Sequence, residues 1–220
     1  VGHAGTIGPL TVSNGQTHGA CVVSLELDDG RTLAVRAKHV VYATGASADQ
    51  LGLDTAVKVR PSKGVHLVVA KDRIDSDAGI IRRTPDGLLF VIPWMDHWLI
   101  GDTDTEWVYD RSRPVANGSD VDRLLRSVNS FIQPPLQRSD VLSVFAGVRP
   151  LVESNARSAS VALSREHVVS GAGPHASVVA GGKYITYRVM ARDVVDQAVA
   201  AAGLQAGPSR THLIPLHGAD

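Results

Sequence analysis

The sequence predicts a mixed α/β (α+β) protein in which antiparallel strands outnumber helices. Three observations carry this. Apolar, β-branched runs recur between Asp-Gly and Pro-Asp-Gly turn signals, a helical period is confined to two stretches, and the last strand runs through Gly181-Gly182 into the second of them.

Two β-rich runs flank Asp29-Gly30 in CVVSLELDDGRTLAVRA, the pattern of an antiparallel hairpin. The apolar run at 39–43, closed by Thr44-Gly45, predicts a buried strand ending where backbone comes close to a ligand or another strand. From 57 to 102 the order is strand, turn, strand: VKVRPSKGVHLVVA, GIIRRTPDGLLFVIPW and HWLIGDTD, with turns at Pro85-Asp86-Gly87 and Met95-Asp96. Val121, Leu124, Leu125, Val128, Phe131 and Ile132 have helical spacing, so one amphipathic helix is expected over 119–132, capped by Ser119 and stopped by Pro134-Pro135. A strand at 141–145 runs into AGVRPLV, and short strands follow at 159–163, 167–170 and 177–180. Gly181-Gly182 then makes a tight turn into a helix over 183–202, ended by Gly203. Strand, glycine turn and helix together aim backbone N–H groups and the positive end of a helix dipole at an anion or an electron-rich ring.

Composition narrows the function. Lys plus Arg equal Asp plus Glu at 22 each, which offers no charge excess for nucleic acid or an acidic membrane surface. The single cysteine, Cys21, lies among apolar neighbours and reads as a buried thiol, which suits a reducing, cytoplasmic setting. No apolar run reaches the roughly 20 residues that span a bilayer. Nine histidines form no H-E-x-x-H or closely spaced Cys/His set, so no metal site is expected. Gly171-Ala-Gly173-Pro-His-Ala176 imitates a dinucleotide fingerprint, but a β-rich run follows it where a helix is needed, and a turn is the better account.

Three residues stand out as candidates, each with an ordinary alternative. Arg149, between Gly147 and Pro150 in AGVRPLV, needs a partner if buried, and that partner is either a structural carboxylate or a substrate anion. Lys183 opens the final helix, as an anion ligand or as an exposed first-turn lysine. His66 sits within an apolar strand, as a proton acceptor or as a satisfied core imidazole.

Taken in series, YATGAS, VRPSKGVHLVV, FVIPW, IGDTDTEW, AGVRPLV, SREH and AGGKYITYRVMARDVVD resemble the motifs of the FAD-dependent, quinone-linked glycerol-3-phosphate dehydrogenases, in the same order and over most of 40–215. The resemblance implies an incomplete, doubly wound FAD-binding domain interrupted by an antiparallel-sheet substrate domain. Residues 1–56 and 140–207 would belong to the former, 57–139 to the latter, and 208–220 would begin a truncated C-terminal region. It implies FAD as cofactor and oxidation of sn-glycerol 3-phosphate to dihydroxyacetone phosphate. Electrons would pass to membrane quinone, with peripheral association at the cytoplasmic membrane in the full-length protein. An internal fragment on this view is expected to be inactive alone. The alternative within the same fold group is an amine or amino-acid oxidase, whose substrate carboxylate would also seek an arginine.

On the same resemblance His66 and Arg149 are catalytic, with His66 as proton acceptor, and Arg149 and Lys183 bind substrate, Arg149 at the phosphate or at the reacting oxygen. Thr44, Gly45, Gly181, Gly182, Lys183 and Thr186 bind the cofactor. Two departures stand out. Ile185 occupies a position where the family has a hydroxyl, and Asp102 adds a carboxylate to the family's G-T-T-D, where it is expected to face solvent.

Overall fold

A computed structural model describes residues 11–13, 21–27, 29–153 and 166–218. The chain divides into two compact units, one from Val1–Val59 with Val152–Asp220 and one from Arg60–Leu151. The strand expected at 159–163 lies outside the described residues.

The first unit holds two three-stranded sheets. Strands β1 (Thr11–Ser13), β2 (Cys21–Glu26) and β3 (Thr32–Ala37) pair antiparallel in that order, with Asp29-Gly30 in the turn between β2 and β3. Cys21 is fully buried and its thiol donates to the carbonyl of Ala37 at 3.2 Å, so it is a structural side chain. In the second sheet β12 (Ala176–Gly181) is central. Antiparallel β11 (His167–Gly171) flanks it on one side and parallel β4 (Val40–Tyr42) on the other. Only Tyr42 of β4 is buried, and Val41 is 38% exposed. The strand is less buried than its apolar run suggests because it sits at the sheet's edge.

The fingerprint-like loop 171–176 is the β11–β12 turn, closed by the Ala172 N–H donating to Ala176 O. After Gly181-Gly182 comes a single 3₁₀ turn, Tyr184–Thr186, and then helix α2, Tyr187–Ala201. The helix therefore begins four residues later than Lys183, since the Thr186 hydroxyl closes a local turn by accepting the Lys183 N–H (3.2 Å) and donating to the Lys183 carbonyl (2.9 Å). Fully buried Ser177 ties the layers together, meeting His39 Nε2 at 2.9 Å and accepting from Gln197 of α2 at 3.2 Å.

The second unit is a six-stranded sheet covered on one face by a helix. Its strands are β5 (Val59–Ala70), β6 (Ile80–Thr84), β7 (Gly87–Trp94), β8 (His97–Gly101), β9 (Thr105–Glu106) and β10 (Val141–Val152). The order is β10-β5-β8-β7-β6, with β9 pairing the start of β5. Because β10 lies beside β5, the chain leaves this sheet at 151–152, one whole strand later than the expected boundary at 139–140. Helix α1 (Gly118–Asn129) lays Leu124, Leu125 and Val128 onto Val65, Leu67, Val91, Trp98 and Ile100. Each such side chain contributes about 1.5–3 kcal/mol on full burial.

The cap of α1 is Asn117 and not Ser119. Asn117 Oδ1 accepts the Asp120 N–H while the Asp120 carboxylate accepts the Asn117 N–H, a reciprocal capping box that a serine two positions later has no geometry to make. Asp120 also takes a 2.6 Å ion pair from Lys63 of β5, with both side chains about 5% exposed or less. Lys63 Nζ further donates to Val115 O and lies 5.1 Å from the Trp107 ring centroid.

Removing one member of a buried pair strands the other's charge. Lys63→Ala should therefore lower unfolding stability by about 3–5 kcal/mol in urea denaturation, whereas Asn117→Ala should cost about 1 kcal/mol. Equal, small losses from both would show that the ion pair contributes little.

Candidate functional site

Strand register assembles the side chains in the second unit. Lys63, Val65, Leu67 and Val69 of β5 point into the core, so Ser62, Gly64 and His66 point to the opposite face of the sheet. Register sets His66 opposite Gly101 of β8, and Gly101 opposite Phe90 of β7. On β10 the same two-residue period groups Phe145, Gly147 and Arg149. Phe145 stacks on His66 with ring centroids 5.1 Å apart and planes 8° from parallel, which brings the two strands' open faces together.

Two glycines make this packing possible. A Cβ at Gly101 would stand 2.7 Å from both Cγ and Nε2 of His66, and one at Gly64 would stand 2.7 Å from Arg149 Cζ and 2.8 Å from Asp102 Oδ1. The floor of the face is thus bare backbone at both points, which leaves room for the imidazole and the guanidinium close against the sheet.

Asp102 does not face solvent. Its carboxylate accepts from Arg149 Nη2 in an ion pair whose side chains are 24% and 23% exposed. Asp102 follows the last β8 pair, Gly101–His66, and its carboxylate lies over Gly64, where no side chain fills the space. Arg149 Nη1 lies 3.9 Å from Asp104 Oδ1, is itself buried, and makes no hydrogen bond. Asp104 in turn accepts from the Ser62 hydroxyl. One guanidinium therefore sits between two carboxylates.

His66 is held below the ordinary histidine range chiefly by burial. The Asp102 carboxylate pushes its pKa back up and the Arg149 guanidinium pushes it down. Near neutral pH the imidazole is uncharged and has a nitrogen lone pair to accept a proton.

The first unit places the remaining candidates at one sheet end. β4 and β12 run parallel, so Thr44-Gly45 and Gly181-Gly182 both follow the carboxyl ends of neighbouring strands, where ligands bind in open α/β sheets. Gly45 has φ +58° and a Cβ there would meet nothing within 4 Å. Thr44 is exposed and its carbonyl accepts the Ser47 N–H. Gly181 and Gly182 are required by the chain's own packing. A Cβ at Gly181 would stand 2.6 Å from Glu166 O, and one at Gly182 would stand 2.8 Å from Met190 Cε.

The N–H groups of Gly182 and Lys183 are also committed, to Glu166 O and to the Thr186 hydroxyl. Donors offered outward by this turn therefore start at Tyr184, whose side chain, with Ile185, is almost fully exposed. Lys183 is exposed just ahead of the turn.

The structure thus joins His66 and Arg149 and adds Gly64, Gly101, Asp102 and Phe145, which the motifs left unassigned. Alternation at 62/64/66 and 145/147/149 is the signal that finds two of them, while the Asp102 contact reaches Arg149, 47 residues away, which local pattern does not contain. Among the described residues no three His, Cys, Asp or Glu side chains are grouped to hold a metal ion.

Known proteins give a consistent picture. The glycerol-3-phosphate dehydrogenase of Mycobacterium leprae is 43% identical over 197 residues, covering 88% of this chain and 34% of that protein. The mitochondrial glycerol-3-phosphate dehydrogenase of Bos taurus is 35% identical over 197 residues, 86% of this chain and 27% of that one. The chain thus spans about a third or less of the length of these relatives. The crystal structure of the Bacillus halodurans glycerol-3-phosphate dehydrogenase complexed with FAD superposes with a TM-score of 0.75 at 27% identity, over 91% of this chain and 40% of that one. Residues 11–188 match the model of the family described as DAO, FAD dependent oxidoreductase, and with its parallel strands ending in glycine turns and its antiparallel sheet, the chain belongs to that family.

Proposed function

We propose that this chain forms part of a flavin-dependent dehydrogenase that oxidises the secondary alcohol of sn-glycerol 3-phosphate to the ketone of dihydroxyacetone phosphate. The observation that carries the chemistry is the uncharged His66 held beside the charge-compensated Arg149 on the open face of the six-stranded sheet. The substrate follows from the relatives named above.

A secondary alcohol that gives up hydride must also lose its hydroxyl proton. His66 accepts that proton, as a base whose neutral form prevails near pH 7. Phe145 stacking and the Gly101 floor keep the imidazole from turning away. Arg149 stands beside His66 and stabilises the negative charge that develops on the same oxygen. With Asp102 and Asp104 beside it, its role is hydrogen-bond donation at the reacting centre, more than attraction of a phosphate dianion. Lys183, in the first unit, is the cation assigned to the phosphate.

FAD fits the carboxyl ends of β4 and β12. Thr44, Gly45, Gly181, Gly182, Lys183 and Thr186 would hold it, with open space over Gly45 for the approach of a dinucleotide. When bound, the flavin supplies the hydride acceptor. The same reading takes membrane quinone as the final acceptor and seats the full-length protein peripherally on the cytoplasmic membrane. No helix among the described residues is long and apolar enough to cross a membrane.

In the full-length protein at equal flavin content, glycerol 3-phosphate should reduce an artificial dye. His66→Asn should lower kcat/KM by about 10²–10⁴-fold, Arg149→Ala should lower kcat, and Lys183→Ala should act mainly on KM. Bound flavin with no dye reduction by glycerol 3-phosphate would eliminate this substrate. The pH profile follows from His66, because protonation removes the base and its pKa is depressed. The value of kcat/KM should hold steady as pH falls through the ordinary histidine range and drop only below it. An acid limb at or above the ordinary histidine value, or one that survives His66→Asn, would assign the base elsewhere.

A further inference from the structure

We propose that Asp102 is a positioning residue for the oxidation, its carboxylate holding the Arg149 guanidinium in place beside His66. This role rests on the proposed function above, in which Arg149 stabilises the oxygen whose proton passes to His66. An arginine carries its head group on a long, flexible stem, and that group lowers a barrier only if it is already aimed when charge develops. Something must therefore fix the plane of the guanidinium before substrate arrives.

Among the described residues, the hydrogen bond that Arg149 donates goes from Nη2 to Asp102. Asp104 lies 3.9 Å from Nη1, beyond hydrogen-bonding reach. The guanidinium is a rigid, planar fork with several N–H donors, so holding Nη2 sets the directions of the others.

The Asp102 carboxylate is well placed for this. It follows directly on Gly101, which closes β8 opposite His66, so one strand end both floors the imidazole and carries the partner of the guanidinium. Gly64 completes the seat, since a Cβ there would stand 2.7 Å from Arg149 Cζ and 2.8 Å from Asp102 Oδ1. Both side chains are only about a quarter exposed, so water competes less for the contact than it would at an open surface. A carboxylate that merely completed the fold would matter equally whether or not Arg149 were present. One that positions Arg149 loses its effect on turnover once Arg149 is gone.

The test is a double-mutant cycle on the flavin-loaded, full-length protein at equal flavin content, reading kcat and KM for glycerol 3-phosphate in dye reduction. Asp102→Ala should lower kcat by about tenfold, a coupling of the size found between groups in contact, and leave KM nearly unchanged. Asp102→Asn keeps an acceptor oxygen for Nη2 and should recover most of that loss. In the Arg149→Ala background, Asp102→Ala should cost nothing further. The same loss in both backgrounds, or a kcat in Asp102→Ala equal to wild type, overturns the proposal. If the wild-type protein does not turn over glycerol 3-phosphate, or Arg149→Ala leaves kcat at the wild-type value, the proposed function falls and takes this role with it. If Arg149→Ala impairs kcat yet Asp102→Ala does not, only the role of Asp102 is refuted.

Discussion

The buried ion pair between Lys63 and Asp120 fixes which way β5 faces, and the open face of the six-stranded sheet is arranged around that choice. A strand has a two-residue period, so sending Lys63 inward to the helix cap sends Ser62, Gly64 and His66 outward. A slip of one residue would bury the imidazole and expose Val65 and Leu67. Hydrophobic burial alone already disfavours that slip, and the pair adds a directional term, because an ammonium without Asp120 has no place in this core. Asp120 also holds the first turn of α1, so register of the sheet and position of the helix that covers it depend on one carboxylate.

A second layer of constraint comes from what is missing. Gly64 and Gly101 put backbone where two large polar side chains need to lie, and the pairs His66–Phe145 and Arg149–Asp102 occupy the resulting shelf. Arg149 is at once a partnered, part-buried charge of structural type and a guanidinium whose buried Nη1 makes no hydrogen bond. Structural pairing and chemistry are thus two aspects of one contact rather than competing explanations.

Much of this was legible in the sequence. The hairpin at Asp29-Gly30, the strand series from β5 to β8, the amphipathic helix and the closing strand–glycine–helix unit all follow from period and turn chemistry, which are local properties. His66 and Arg149 stood out as charged or titratable groups in apolar runs. What local pattern did not contain was partnership across strands. Asp102 looked solvated because nothing near it in sequence opposes it, Asn117 lost the cap to Ser119 because only geometry shows the reciprocal bond with Asp120, and the chain's exit from the sheet was set one strand too early because β10 pairs with a strand far back in the sequence. Nothing local to VRPSKGVHLVV marks Lys63 as the lysine with the most demanding environment among those described.

The parallel pairing of β4 with β12 also has a consequence for how the chain acquires its structure during synthesis. The two strands meet across a long insertion, with His39 and Ser177 touching though 138 residues apart in sequence. The second unit, by contrast, is a continuous segment whose strands mostly pair with near neighbours. Closing short loops first costs less chain entropy, so the antiparallel sheet and α1 can form while the ribosome is still delivering β12. The β11–β12–β4 sheet must wait for β12, and among the described residues β4 has no other strand to pair with in the interval, which makes that half of the nascent chain the more vulnerable to wrong partners.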